Sequence, residues 1–387
     1  MSWEKVAIED LCIKVTSGGT PLRSTTEFYD GGTIPWIKTK EVNFNRIYDA
    51  DEKITEKGLD NSSAKLIPEN SILIAMYGDG HTAGRCAINR LPVTTNQACC
   101  NLVIDSEKAN PDYMFYKIST LYEIFRGLKS GGSQQNLNAK TLREFKLQIP
   151  PLPTQRKIAT ILSAYDDLIE NNLKRIKLLE EAININFKNL ISTEDKNFTN
   201  EKLNSFVDII SGFPFKSNYY NENGKHKIVT IKNVQDGFFV PIVTDKIDEI
   251  PDRMNEDLFL NTGDVIMSLT GNVGRVCLVY GENYVLNQRV VKLLAKDKND
   301  LGFVYALLRD KQMQTVLENL SNGTAQQNLS PIKMGELFIK YPSEKSRKVF
   351  NEIALPMIDL ICKINLQNTK LREARDILLP KLMNGQI

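Results

Sequence analysis

A chain of 387 residues leaves room for two domains of ordinary size. With 25% charged and 42% hydrophobic residues it is not a disordered chain, and no stretch approaches the roughly 20 apolar residues that span a bilayer. A formal net charge of +2 excludes binding to nucleic acid by bulk charge alone, so such binding has to rest on local basic patches or on partners. The opening Met1–Val6 lacks the charged and apolar regions of a signal peptide, and a cytoplasmic site is expected. Cys12, Cys86, Cys99, Cys100, Cys277 and Cys362 are scattered without metal-ligand spacing, with only His81 and His226 beside them. No metal and no cofactor are expected, and adjacent Cys99 and Cys100 read as small core residues.

Along the first half, Ser17-Gly18 and Trp36 with Lys38 and Lys40 precede a short apolar run, Ser71–Tyr77, bounded by glycines and hence a strand. A glycine-rich turn, Gly78–Gly84, leads to Arg85. Asn96-Gln97 precedes a further strand, Asn101–Asp105, and a helix is predicted over 111–126, with Pro111 at its first position. Gln134-Gln135-Asn136-Leu137 follows, then a strand ending at Pro150. Pro150-Pro151-Leu152-Pro153 reads as a stiff, non-helical hinge. Thr154 is the expected N-cap of the next helix. From there to Ile191 apolar residues recur in sevens: Ile158, Tyr165, Asn172, Leu179 and Asn186 on one seam position, Leu162, Ile169, Ile176, Ile183 and Leu190 on the other.

The second half repeats the plan about 192 positions later, the distance from Gln134 to Gln326. Ser211-Gly212 answers Ser17-Gly18, and Lys232-Asn233-Val234 answers Lys40-Glu41-Val42. Gly274-Arg275 answers Gly84-Arg85, Asn287-Gln288 answers Asn96-Gln97, and Gln326-Gln327-Asn328-Leu329 closes the series before Pro342. Strands are predicted at Val265–Leu269 and Arg289–Leu294, and a helix over 301–320. A second heptad helix places Phe350, Met357, Ile364, Leu371 and Leu378 on one seam and Ala354, Ile361, Asn368, Arg375 and Leu382 on the other, with a kink expected at Pro356.

A period of this length is too long for a solenoid and suggests two whole domains. The expected class is α+β: two similar domains, each followed by a long heptad helix; the family resemblance given below implies that the domains stand in pseudo-two-fold arrangement, separated by the two long helices as an antiparallel coiled coil. The boundaries fall at 1–153, 154–192, 193–343 and 344–387. A buried amide needs hydrogen-bond partners, so the register is expected to face Asn172 with Asn368. That register sets Ile176 opposite Ile364, Leu162 opposite Leu378, and Tyr165 opposite Arg375, ring against guanidinium.

Motifs for chemistry are missing. No phosphate-binding loop occurs, since Gly224-Lys225 is followed by His226. No glycine-rich loop suits a methyl-donor nucleoside. Asn110-Pro111-Asp112-Tyr113 lacks the second proline of the adenine-methyltransferase motif and reads as a helix start. Pro111-Asp112 and Pro251-Asp252 have no downstream nuclease partner.

The duplicated Gln-Gln-Asn-Leu segments, the strand exit Ile149-Pro-Pro-Leu-Pro-Thr-Gln-Arg156 with its long helix, the opening Trp3 with Ser17-Gly-Gly-Thr-Pro21, and the ending Leu378-Leu-Pro-Lys-Leu-Met-Asn-Gly385 together resemble the specificity subunits of type I restriction–modification systems. The second half departs at Lys340-Tyr341-Pro342-Ser343, where the Pro-Pro-Leu-Pro stretch is replaced. The resemblance covers essentially the whole chain. It implies a non-catalytic subunit in which each variable domain reads one half of a split double-stranded DNA target. The helices set the half-site spacing, two methyltransferase subunits dock on the scaffold, and motor–nuclease subunits join for restriction.

Reading bases requires forked donors and amides: Arg or Lys for guanine, Asn or Gln for adenine. Phosphate contacts need only charge and free donors, and fix register. The candidates are Lys38, Lys40, Tyr77, His81 and Arg85 in the first half, with Gln134, Gln135 and Asn136; and Lys232, Asn233, Asn272, Arg275 and Arg289 in the second, with Gln326, Gln327 and Asn328. Residues common to both halves cannot explain two different targets, so they read as scaffold or phosphate contacts, and specificity is expected in the divergent segments 23–60 and 216–257. Two other classes compete: a coiled-coil scaffold that binds only proteins, and a stand-alone DNA enzyme, which the missing motifs oppose.

Overall fold

The computed structural model describes residues 3–78, 80–128, 137–192, 198–321 and 328–386. It divides into two units, Met1–Asp167 with Arg372–Ile387, and Leu168–Leu371. Both divisions fall inside long helices, Leu152–Ser192 and Glu344–Met383. None of the helices among the described residues is long and apolar enough to cross a membrane.

The first unit is built on a five-stranded sheet in the order Cys12–Ser17, Cys99–Ile104, Ile72–Ala75, Cys86–Asn89, Asn45–Ile47. The last strand pairs in parallel, the others antiparallel. Its central run is continuously apolar because both faces are covered. Ile72, Ile74, Cys100 and Leu102 pack with Tyr113 and Met114 of a helix. Leu73, Ala75, Ala87 and Cys99 pack with Ile37 and Val93 on the opposite side. Ile37 ends the middle strand of a three-stranded layer, Lys53–Ile54, Ile34–Ile37, Thr94–Thr95. Burial pushes the thiols up, Cys100 to about 12, which suits packing rather than reactivity.

The second unit repeats this arrangement with one strand fewer: Val207–Ser211, Val290–Ala295, Val265–Ser268 and Val276–Leu278 form the sheet, the larger by residues, that matches the five-stranded one. Val265, Met267, Val291 and Leu293 face the helical side. Ile266, Cys277 and Val290 face a four-stranded layer centred on His226–Val229 and Tyr284–Leu286. In each unit the first strand pairs antiparallel with the last, Glu4 opposite Ile149 and Thr199 opposite Tyr341.

Several expectations are corrected. The helix over 111–126 is two helices, Pro111–Ser119 and Tyr122–Gly127. The Ser119 and Thr120 hydroxyls donate to the carbonyls of Tyr116 and Lys117 at 2.7 Å, and these side-chain bonds compete with continuation of the helix. The helix over 301–320 is Leu301–Arg309 and Lys311–Ser321. Asp310 separates them and its carboxylate accepts from the Gln312 N–H at 2.9 Å, capping the second. The proline-rich stretch is no hinge: the central helix begins at Leu152, and the N–H groups of Thr154 and Gln155 donate to the Pro151 carbonyl. Pro153 fits because a first-turn residue has no helical acceptor for an N–H. The cap is therefore Pro151 backbone, not Thr154. The other long helix is continuous through Pro356, which is exposed.

Within the first unit, Ile158 and Leu162 share a cluster with Leu378 and Leu382. Within the second, Ile176, Leu179 and Ile183 share one with Ala354, Met357 and Ile361. Asn172 and Asn368 are 4% and 0% exposed, and the Asn172 amide donates to the Asn368 side-chain oxygen at 2.9 Å. Arg375 meets Asp166 at 2.5 Å, and also Asp376, rather than the Tyr165 ring.

In each long helix a side chain one period apart, in the first turns, ties the helix to its unit. Gln155, 1% exposed, donates to the Pro150 carbonyl and accepts from the Asn110 N–H, both at 2.9 Å. Arg347 stands one period further on. It donates to the Pro342 carbonyl at 2.6 Å and to buried Asp300 at 2.9 Å. Asn110 and Asp300 each precede a helix, so the two braces join equivalent points.

Candidate nucleic-acid interface

Antiparallel pairing gathers the shared landmarks at one end of each larger sheet. In the first unit Ser17 pairs with Cys100, Ala75 with Cys99 and Ile74 with Cys86. The segments after Ser17, after Ala75 and before Cys99 therefore leave from the same end. The Asn96 N–H donates to the Ile37 carbonyl at 3.0 Å, which brings the turn of Lys38 and Lys40 there too. The second unit does the same: Ser211 pairs with Val291, Ser268 with Val290 and Met267 with Val276, and the Asn287 N–H donates to the Val229 carbonyl.

The Ser-Gly landmark is a packing device. A Cβ on Gly18 would lie 2.1 Å from the Thr95 carbonyl oxygen, and one on Gly212 2.1 Å from that of Asn287, so only glycine fits. Gln134, Gln135, Asn136, Gln326 and Gln327 lie outside the described residues. Their neighbours Leu137 and Leu329 are buried, and their N–H groups donate to the carbonyls of Met76 and Leu269. Asn328 is exposed beside this contact, bridging Thr270.

Tyr77, His81 and Arg289 are exposed at this end. Arg85 is partly buried, and its guanidinium has no hydrogen-bond partner among the described residues. Arg275, at the equivalent position, is committed: its terminal nitrogens donate to the Asn272 side-chain oxygen at 2.8 and 3.0 Å, and also to Gln235. Lys232 is exposed. Lys40 pairs with Asp51 at 2.7 Å. Lys38 pairs with Glu52, whose carboxyl is held below its ordinary range by Lys38 and then by Arg23.

Asn233 is corrected to a structural residue. It is 4% exposed, accepts from the Thr230 N–H at 2.9 Å and donates to the carbonyls of Val240 and Ile242 at 3.0 Å. Glu41, one period earlier, accepts from the Lys38 N–H at 3.0 Å in the same way. With every polar atom used, Asn233 has nothing left to offer a base. Gln97 and Gln288, outside the candidate set, are both exposed at the landmark end, and the Asn-Gln dipeptides of the two halves signal them. An open cleft of about 450 Å³ lies beside Gly271–Arg275 in the second unit. Asp236 and Glu318 line it, which disfavours phosphate inside it.

The type I restriction modification DNA specificity domain matches the chain twice, over residues 1–181 and 195–372, and the chain belongs to that family. The family supplies the specificity component, not the catalytic one, of type I restriction enzymes. The MjaIX specificity subunit of Methanocaldococcus jannaschii is 27% identical over 416 residues, covering 100% of this chain and 93% of its own. The MjaVIII specificity subunit of the same organism is 26% identical, with coverage of 100% and 93%. The fold is similar to the crystal structure of the S subunit from M. genitalium, with a TM-score of 0.64 at 18% identity, covering 99% of this chain and 96% of that one.

Proposed function

We propose that each unit reads one half of a bipartite, asymmetric DNA target through the landmark end of its larger sheet. The observation that carries this reading is the gathering of Ser17-Gly18, Gly84-Arg85 and Asn96-Gln97, and of their counterparts Ser211-Gly212, Gly274-Arg275 and Asn287-Gln288, at that end, with different side chains around them in the two units. Shared backbone positions the duplex and divergent side chains distinguish its bases. The two long helices set the spacing between half-sites. At 1.5 Å per residue, the 41-residue central helix is about 60 Å long. Methyltransferase subunits dock on the helical scaffold, motor–nuclease subunits join them for restriction, and the cytoplasm is where the complex acts.

The test is to sequence modified adenines in the host genome with and without this gene. One split asymmetric motif should disappear with the gene. Removing one heptad from both long helices should change the unspecified spacer and leave the half-site bases alone. A chain that supports methylation without any sequence preference would leave only the scaffold reading.

A further inference from the structure

We propose that Arg23 is a base-reading residue for the half-site of the first unit, selecting a guanine. This rests on the DNA-reading function proposed above and names one of its determinants.

Arg23 lies five residues beyond Gly18, on the segment that leaves the landmark end. That segment is anchored at two points just ahead of Arg23. The Trp36 indole N–H donates to the Gly19 carbonyl at 2.9 Å, and the Tyr29 hydroxyl donates to the Pro21 carbonyl at 2.6 Å. The same two rings hold the arginine, whose guanidinium carbon lies 4.7 Å from the Tyr29 centroid and 4.5 Å from that of Trp36. Its Nη1 donates to Glu52 at 2.6 Å. The side chain is nevertheless 51% exposed, and Leu22 beside it is 65% exposed.

These contacts define what the group can do. Glu52 takes one nitrogen and also pairs with Lys38, so two cations share one carboxylate and the cluster keeps a positive charge. The remaining guanidinium donors have no hydrogen-bond partner among the described residues. A planar fork held on aromatic faces loses little freedom on binding and suits two adjacent acceptors, which in a major groove are O6 and N7 of guanine. An exposed leucine next to it suits the apolar floor of a groove, such as a thymine methyl.

The second unit keeps the frame and omits the device. The Trp36 N–H donates to the Glu52 carbonyl and the Ile228 N–H to that of Asp245, both at 2.9 Å, so Ile228 stands where Trp36 does and Asp245 where Glu52 does. Five residues beyond Gly212 is Ser217. Tyr220 caps the short helix of Ser217–Tyr219 as Tyr29 caps that of Thr26–Phe28, but Ile228 replaces the indole and Ser217 the guanidinium, so the reader belongs to one half-site only.

The experiment selects bound duplexes from a pool randomised over the target, using the full chain assembled with its methyltransferase subunits. The unsubstituted chain should show a guanine at one position of one half-site. Arg23→Ala should lower discrimination there by about ten- to a hundred-fold and leave every other position unchanged. Arg23→Gln should shift that same position from guanine toward adenine. Equal weakening on all sequences would make Arg23 a phosphate contact and overturn the proposal, as would unchanged preferences. If the unsubstituted chain selects no sequence at all, the DNA-reading function itself fails, a result distinct from either.

Discussion

The braces that hold the two long helices to their units do the same job with different chemistry. Gln155 joins two backbone groups through a neutral amide. Arg347 joins the Pro342 carbonyl to Asp300, and Asp300 also accepts from Tyr341 at 3.0 Å and Asn351 at 3.1 Å. A duplicated fold therefore preserves which points are tied and leaves the tie free to change. The cost of cutting each tie differs, because removing one member of a buried ion pair strands its partner's charge.

Asp300→Ala should be the most damaging single change, costing about 3–5 kcal/mol because the largely buried Arg347 loses its only carboxylate partner among the described residues. Gln155→Ala should cost about 1–3 kcal/mol, the loss of two buried neutral hydrogen bonds. Hydrogen exchange read by mass spectrometry would localise each effect, Asp300→Ala to Leu168–Leu371 and Gln155→Ala to the other unit. Equal losses in both units from either variant would mean that the ties are not local.

The Asn172–Asn368 pair sharpens the same comparison within the long helices. We propose that it fixes their register. The Asn368 side-chain nitrogen is buried with no partner among the described residues, so the pair is a net burden on stability. Asn172→Leu alone should cost about 1–3 kcal/mol by stranding Asn368. The double variant Asn172→Leu/Asn368→Leu should melt above the single variant, since apolar residues replace both amides. A double variant no more stable than the single one would contradict this account.

The smallest effect is expected at the landmark arginines. Arg85 has free donors and Arg275 is held by Asn272 and Gln235. Arg85→Ala should therefore weaken DNA binding more than Arg275→Ala, and should lower the slope of log affinity against log salt by about 1. The reverse order would show that Arg275 exchanges its internal partners for phosphate.

The repeat and the heptads made most of the architecture legible, because glycine turns, apolar strands and a seven-residue period act locally. What was hidden depends on distant partners. Gln155 and Arg347 share a position but not a chemistry, so nothing in the letters marks them as equivalent. Asn233 looked like a reader beside Lys232, yet Thr230, Val240 and Ile242 consume its amide. Thr120 and Asp310 interrupt long apolar patterns that a periodicity reading carries straight through. Arg23 belonged to a divergent stretch whose significance only the rings of Tyr29 and Trp36 reveal.

One detail of the fold bears on inheritance. Because Glu4–Ala7 pairs with Lys146–Ile149, and Thr199–Lys202 with Phe338–Tyr341, the backbone comes into the sheet-bearing part of each unit and departs from it on neighbouring strands. A coding segment bounded at those strands carries a complete sheet, its layers and its loops, with both cut points side by side. A cut at both strands would therefore exchange a whole module without lengthening any connection.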